Sequence, residues 1–520
     1  MTRDQATHPI INPWIIAITV MLSTFLEVLD TSVVNVSLPY IAGGLSATVD
    51  EATWVLTSYL VANAIVLPIT GWLANQFGRK RLLITAVAGF TVASLLCGLA
   101  PSLPLLVLFR CLQGAFGGAL QPISQAVLLE SFPPQDRGKA MAFWGLGIVV
   151  APILGPTLGG YLTDMYSWRW VFYINLPIGI ASIIMTRMFL FDPSYIKPSR
   201  SRVDGWGLGM MAVGIACLQI MLDKGQEADW FGSHFIVALA IIAFVMLAGF
   251  VVWELTVKDP IVHLRVFKDR TYATGVFLMT TLGFVLYGSL VLLPLFMQVL
   301  LGYSAITAGL WTAPRGIGAL VFMPIVGILM SRRWDPRLLL TFGLLAAALG
   351  TYQFSFYNLA TGPWSFFFPQ IIQGGGMAFI FVPLTTVTMD AIPLKDMGNA
   401  TSLFNLTRNL GASAGISVAT MLVARRSQFH QSRLTAQITS ASPTLHAMLQ
   451  NFTHMLVIRG MDAATASHQA LGAVYGMVVK QAVMLSYIEV FYLLAIIFVL
   501  MVPLVMLMKR PSHGRSVSMH

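Results

Sequence analysis

Long apolar runs separated by short polar stretches fill this chain, and the length of the runs decides what they form. About 20 apolar residues cross a bilayer as a helix, whereas a barrel strand needs roughly 10 and alternates in polarity. Fourteen runs have helical length: residues 13–39, 52–74, 82–100, 104–129, 139–161, 168–190, 204–222, 233–256, 271–299, 304–330, 338–357, 364–390, 397–424 and 482–508. They predict an all-α membrane protein with fourteen transmembrane helices, because only a helix satisfies its own backbone inside lipid. The first run is too long for a removable signal peptide and lacks a small-residue cleavage site, so it is predicted to stay as helix one.

Self-comparison divides these helices. GWLANQFGRKRLLI at 71–84 aligns with GILMSRRWDPRLLL at 327–340, an offset of 256 that also pairs Pro68 with Pro324. Beyond helix three the offset is 260, which pairs Gln113 and Gly114 with Gln373 and Gly374, and Pro133, Asp136 and Gly138 with Pro393, Asp396 and Gly398. Ala151, Gly155 and Gly159 likewise repeat as Gly411, Gly415 and Ala419. The pattern predicts two pseudo-symmetric six-helix bundles plus two inserted helices. The expected boundaries are a first bundle at 1–191, a linker with the inserts at 192–258, and a second bundle at 259–520. The second bundle is expected to carry a long outer loop at 425–480, read as solvated, with an amphipathic helix over 461–481 as the alternative. Parallel repeats of this kind are typical of secondary transporters, with the substrate site between the halves.

Composition agrees: 57% of residues are hydrophobic and 10% charged, against about 25% charged in soluble domains. The net charge of +10 would suit a nucleic-acid partner, but its distribution argues otherwise. Twenty-one of the 31 Lys and Arg fall in alternate loops, around Arg79–Arg81, Arg137, Lys139, residues 187–202, 258–270, 332–337, Lys395 and both termini. The short loops near 40–51, 100–103, 300–303 and 357–363 hold none. Both termini are therefore expected in the cytoplasm, and no nucleic acid is expected as a partner. Cys97, Cys111 and Cys217 lie within apolar runs and read as small core residues. No metal or cofactor is expected.

Against this background the charges inside helices carry the information. Glu27 and Asp30 lie three apart in helix one, hence on one face, and a carboxylate in hydrocarbon is costly unless it faces a cavity or a partner. They read as a proton-exchanging pair, with Arg110 of helix four as the natural counter-ion; a static pair that fixes packing is the alternative. Arg315 and Arg408 face either a cavity or a helix interface, and Glu489 reads as half of a structural pair. Gly147, Ala151, Gly155 and Gly159 strip one face of helix five for close backbone approach, and Pro152 and Pro156 can bend it. Tight packing alone also explains that stripe. No histidine falls at mid-membrane, and no G-x-x-x-x-G-K-[ST] loop for an ATP-driven pump is present.

GPTLGG at 155–160 resembles the antiporter signature of the major facilitator superfamily. GWLANQFGRKR at 71–81 resembles its cytoplasmic loop between helices two and three, and LDTSVVNVSLP at 29–39 resembles the helix-one signature of its fourteen-helix drug:proton antiporter branch. SWRWVFYINLPIG at 167–179, LQIMLDKGQEADW at 218–230 and SLFNLTRNLGASAGISV at 402–418 extend the likeness to EmrB-type multidrug exporters over nearly the whole chain. The resemblance implies efflux of amphipathic drugs or toxic compounds driven by proton antiport, with transport of one specific metabolite as the alternative. A membrane-embedded enzyme or a receptor is not expected, because no convergent nucleophile and base or soluble sensing domain is visible and the internal duplication fits transport better. It implies a multi-pass protein of a bacterial inner membrane, whose outer loop would meet a periplasmic adaptor and, through it, an outer-membrane channel.

The implied roles are proton coupling for Asp30 with Arg110, and with Glu27 from geometry alone. An antiporter motif is implied at Gly147, Ala151, Gly155, Pro156, Gly159 and Gly160, and a gating loop at Gly71, Asn75, Gly78, Arg79 and Lys80, with anchoring to anionic lipid as the alternative role of Arg79, Lys80 and Arg81. The superfamily loop usually has Asp where this chain has Asn75, so a charge lock between halves is expected to be weaker or replaced by hydrogen bonds. Cavity candidates are Gln113, Gln121, Gln125, Tyr287, Gln298, Gln373 and Phe381, with Trp144 beside them.

Overall fold

Large apolar side chains such as Val92, Leu99, Phe244 and Leu500 face outward, while Asp30, Arg110, Gln113, Asn175 and Gln373 are buried. That is the reverse of a water-soluble fold, and lipid is the solvent that permits it. The chain, a computed structural model, is described for residues 12–192, 204–258, 260–390, 392–438 and 442–508.

Among the described residues thirteen helices are long and apolar enough to cross a membrane. Eight come before the second repeat: α1 (Pro13–Gly44), α2 (Asp50–Phe77), α3 (Arg79–Leu99), α4 (Leu103–Ser131), α5 (Arg137–Met165), α6 (Trp170–Phe189), α7 (Gly205–Lys224) and α8 (His234–Thr256). Four follow: α9 (Arg270–Leu300), α10 (Ile306–Ser331), α11 (Pro336–Phe356) and α12 (Pro363–Asp390). Next come α13 (Met397–Gln437) and α14 (Pro443–Ile458), and the last span is α15 (Ala463–Val505). The fourteenth crossing expected at 397–424 lies in α13, which is too polar to pass on composition. Its Asn399, Thr401, Ser402, Asn405 and Arg408 are buried against protein rather than lipid, so it needs no apolar surface there.

α1 packs along α5, α2 along α4, and α3 against α4 and α6; the same pairings recur as α9 with α13, α10 with α12, and α11 with α12 and α15. The two sets meet where α5 lies against α10 and α12, and where α13 lies against α2 and α4. The inserted α7 and α8 pack on each other, and α7 also packs on α2 and α13. Burial follows this plan: 83% of the apolar window of α12 is inside the protein but only 22% of that of α8, so α12 is central and α8 peripheral.

The expectation of a long loop at 425–480 is corrected. α13 runs on to Gln437, α14 follows, and α15 starts at Ala463, so most of that stretch is helix. At about 1.5 Å per residue, the part of α15 before residue 482 extends some 28 Å. Local signals support it: Ser442 and Asp462 cap α14 and α15 by accepting from the Leu445 and Thr465 N–H groups. Arg426 donates through Nη2 to Glu489 at 2.8 Å, and His430 Nε2 lies 3.0 Å from the same carboxylate, tying α13 to α15. Length and polarity suggested a solvated loop; amphipathic helices supporting one another satisfy the same composition.

Candidate functional site

Asp30 is set by α1 and its partners come from two other helices, α4 and α6. Arg110 Nη1 of α4 lies 2.6 Å from Oδ2; Gln113 Nε2 donates to Oδ1 at 2.9 Å, and Asn175 Nδ2 of α6 donates to the same oxygen at 2.6 Å. Asn175 also reaches Ser94 of α3 at 3.0 Å. Arg110 is held in turn by the Val55 carbonyl and Gln113 Oε1, and its guanidinium stacks over the Tyr59 ring with the centroid 4.2 Å away. Asp30, Arg110, Gln113 and Asn175 have no solvent exposure. The carboxylate points into the interior of its own set of helices, where a counter-ion and neutral donors offset the cost of burial.

Glu27, one turn earlier, points elsewhere. Its Oε1 accepts from Asn63 Nδ2 of α2 at 2.9 Å, and its Oε2 is buried without a partner. Its surroundings include Gln121 and Arg408, and Arg408 Nη2 donates to Gln121 Oε1 across the seam. Glu27 is thus the helix-one acid nearest the boundary between the two sets, with a spare acceptor.

The glycine face of α5 lies on α1. A Cβ on Gly155 would run into Ser32, one on Gly159 would come within 2.9 Å of the Val33 carbonyl, and one on Gly147 within 2.8 Å of Met21. Ala151 is fully buried, while Gly160 has open space around it. Pro156 has no N–H to donate to the Pro152 carbonyl one turn back, and Ser32 Oγ lies 3.4 Å from that carbonyl oxygen instead. The prolines therefore add a polar link between α1 and α5.

At the end of the bundle rich in Lys and Arg, Gly71 abuts the other set. A Cβ there would lie 2.5 Å from the Asn399 backbone nitrogen. Gly78 turns the chain at φ +83° between α2 and α3. The carboxylate of Asp192 receives the Lys80 N–H at 2.9 Å, and Lys80 Nζ donates to the Arg187 carbonyl at 2.7 Å. Arg79 is buried and pairs with Glu130 at the end of α4. Asn75 is exposed. Among the described residues, Arg137 with Asp390, at 3.4 Å, is the charged link between sets at this end. Arg3, Lys197, Arg200, Arg202, Lys509, Arg510 and Arg515 lie outside the described residues.

The cavity candidates divide. Gln121 and Gln125 are buried at the seam, the latter accepting from Asn405 Nδ2 at 2.7 Å. Trp144 is buried there too, stacks on Phe381 with centroids 6.1 Å apart, and donates to Thr24 at 3.0 Å. Gln113 belongs to the Asp30 cluster. Gln373 is buried inside the second set, donating to Thr351 at 2.8 Å. Tyr287 is half-buried, and Gln298 is exposed at the end of α9.

Sequence reasoning missed Asn175, Asn63, Glu130 and Asp192 as partners. Each was a polar residue inside or at the end of an apolar helix, which is signal enough to ask for a partner. An apolar cleft between α11 and α15, lined by Leu345, Tyr352, Tyr492 and Ile496, lies on the periphery and remote from these groups.

A model described as the Major Facilitator Superfamily matches residues 20–416. The chain is 39% identical over 503 residues to the multidrug export protein EmrB of Escherichia coli strain K12, covering 96% of this chain and 95% of that one. It is 41% identical over 494 residues to the fatty acid resistance protein FarB of Neisseria gonorrhoeae, covering 95% of each. Among solved structures, the human organic anion transporter MFSD10 superposes with a TM-score of 0.58 at 12% identity, over 94% of this chain and all of that one. The proton:xylose symporter XylE does so with 0.57 at 18% identity, over 80% and 90%.

Proposed function

We propose, for a chain that belongs to the Major Facilitator Superfamily, that it exports amphipathic drugs and toxic compounds in exchange for protons. The observation that carries this reading is the likeness, over at least 95% of both chains, to proteins named for multidrug export and fatty acid resistance. The chain is a multi-pass membrane protein; we place it in a bacterial inner membrane with its basic end and both termini in the cytoplasm, on the distribution of Lys and Arg.

In this reading α1–α6 and α9–α13 with α15 are the two rocking bundles. Gly71 against Asn399 and Arg137 with Asp390 close the cytoplasmic end. Asp30 exchanges its proton when α1 shifts against α4 within the first bundle as the bundles rock and parts it from Arg110, since a lone buried carboxylate takes up a proton and a paired one releases it. Glu27 carries the proton between that cluster and the seam, where the Gln121–Arg408 link reports the position of the other bundle. The α1–α5 contact at Gly155 limits leak. Drug-sized amphiphiles enter at the seam, where Trp144 and Phe381 offer aromatic surface and Gln121 and Gln125 offer amides. The helical extension of α13, α14 and the start of α15 is the contact for a periplasmic adaptor, which would meet an outer-membrane channel.

The test is transport in proteoliposomes with an imposed pH gradient. Movement of a lipophilic cation should depend on the gradient and vanish in Asp30→Asn. Gradient-driven transport at the wild-type rate in that variant overturns the assignment of Asp30, and Glu27→Gln then decides whether Glu27 carries the coupling alone.

A further inference from the structure

The internal repeat relates two polar cores, one in each bundle, and they differ in charge. At an offset of 260, Arg110 and Gln113 of α4 correspond to Gln370 and Gln373 of α12; at 256, Tyr59 of α2 corresponds to Arg315 of α10. The packing agrees with this register. A Cβ on Gly114 would run into the Tyr59 carbonyl, and one on Gly374 into the Arg315 carbonyl. The glutamines agree as well. Gln113 bonds to Asp30 of α1 and Cys97 of α3, while Gln373 bonds to Ser289 of α9 at 3.4 Å and Thr351 of α11 at 2.8 Å.

Serine therefore stands where the first core has its carboxylate, and the guanidinium has moved from α4 to α10. In the first core Arg110 has Asp30. In the second, Arg315 donates through Nε to Gln370 Oε1 at 2.9 Å, while its Nη1 and Nη2 have no partner. Gln370 Nε2 is also buried without a partner, as is Gln373 Oε1. Arg315 is 8% exposed, and among the described residues no carboxylate pairs with it. Three unpartnered nitrogens, two of them on a guanidinium, outnumber the one spare acceptor. A buried guanidinium without a counter-ion is costly, and a carboxylate is the group its planar fork matches.

We infer that Arg315 and Gln370 form an anion subsite in the second bundle that takes the carboxylate head of an acidic amphiphile. The molecule is then divided by function: the first core keeps its carboxylate for protons, and the second lends its cation to the substrate. The direction of movement rests on the export reading above, but binding does not. Arg315 on α10 and Gln370 on α12 are both buried, so the ligand reaches the subsite in a conformation in which these two helices part.

The test is equilibrium binding of radiolabelled decanoate to the full chain in nanodiscs, with decanol as the neutral analogue. Wild type should bind decanoate saturably and decanol at least tenfold more weakly. Arg315→Gln should weaken decanoate at least tenfold, with Arg315→Lys recovering part of the loss. Gln370→Glu is the decisive variant, because it supplies the missing anion from within. It should abolish decanoate binding while unfolding at or above the wild-type temperature, which separates occupancy of the subsite from misfolding. Equal decanoate affinity in wild type and Gln370→Glu overturns the proposal, as does displacement of decanoate by chloride alone at millimolar concentration, which would make this an inorganic-anion site. A wild type that binds decanoate with the expected variant pattern but moves neither decanoate nor a lipophilic cation under a pH gradient refutes the export reading and leaves the subsite standing.

Discussion

Arg110 Nη1 and Asp30 Oδ2 lie 2.6 Å apart with neither side chain exposed, so a full ion pair is enclosed within the first bundle. Removing one partner of such a pair costs about 3–5 kcal/mol, because the other charge is left buried and alone. Arg110→Ala is therefore expected to lower thermal stability by that order. The double variant Asp30→Asn with Arg110→Gln, which removes both charges and keeps hydrogen-bonding groups, should regain most of it. Gradient-driven transport should be lost in both. Additive losses in the double variant would show that the pair is not coupled.

Gly155 and Gly160 belong to one motif but not to one contact. Gly155→Ala forces α1 and α5 apart at Ser32 and should cost about 1–3 kcal/mol, as overpacking does, whereas Gly160 has open space where its Cβ would go. Gly160→Ala should leave the unfolding temperature and the transport rate near wild type. The leak of protons in the absence of substrate should rise in Gly155→Ala alone. A dye for internal pH in proteoliposomes reads both.

Gly71 approaches the Asn399 backbone across the seam more closely than any side chain permits. Gly71→Val should hold the basic end apart. Spin labels placed at Phe77 and Leu394, both exposed at that end, should then show a distance distribution shifted to longer values. An unchanged distribution would mean that the contact does not determine closure.

Asp462 caps α15 through the Thr465 backbone N–H at 3.0 Å, and its hydrogen bonds to Thr465 hold its pKa below the usual carboxylate value. A depressed folded-state pKa gives a contribution that is complete above the unfolded value and is lost as pH falls through the folded one. The first turn of α15 should therefore fray on acidification below the ordinary carboxylate range. Asp462→Asn should remove that pH dependence while keeping a cap. Hydrogen-exchange protection of residues 463–467, corrected for intrinsic rate, is the measurement.

What the linear sequence determined was whatever depends on run length and on charge excluded from lipid. Long apolar runs must become helices, and residues 205–224 and 234–256 fold as the inserted pair expected at 204–222 and 233–256. Asp30 and Arg110, each too costly alone, were recognisable as partners before their distance was known. Only the tertiary structure decided which way each remaining polar group turned. It put Gln113 and Gln373 in two separate cores, aimed Glu27 at the seam rather than at Arg110, and buried the polar face of α13 against α4. It also made helix of residues that composition reads as loop. The reason is physical: a helix fixes which residues share a face, but the neighbour that face meets is chosen by packing between segments remote in sequence, and the repeat alone cannot say which of two matched cores keeps the charge.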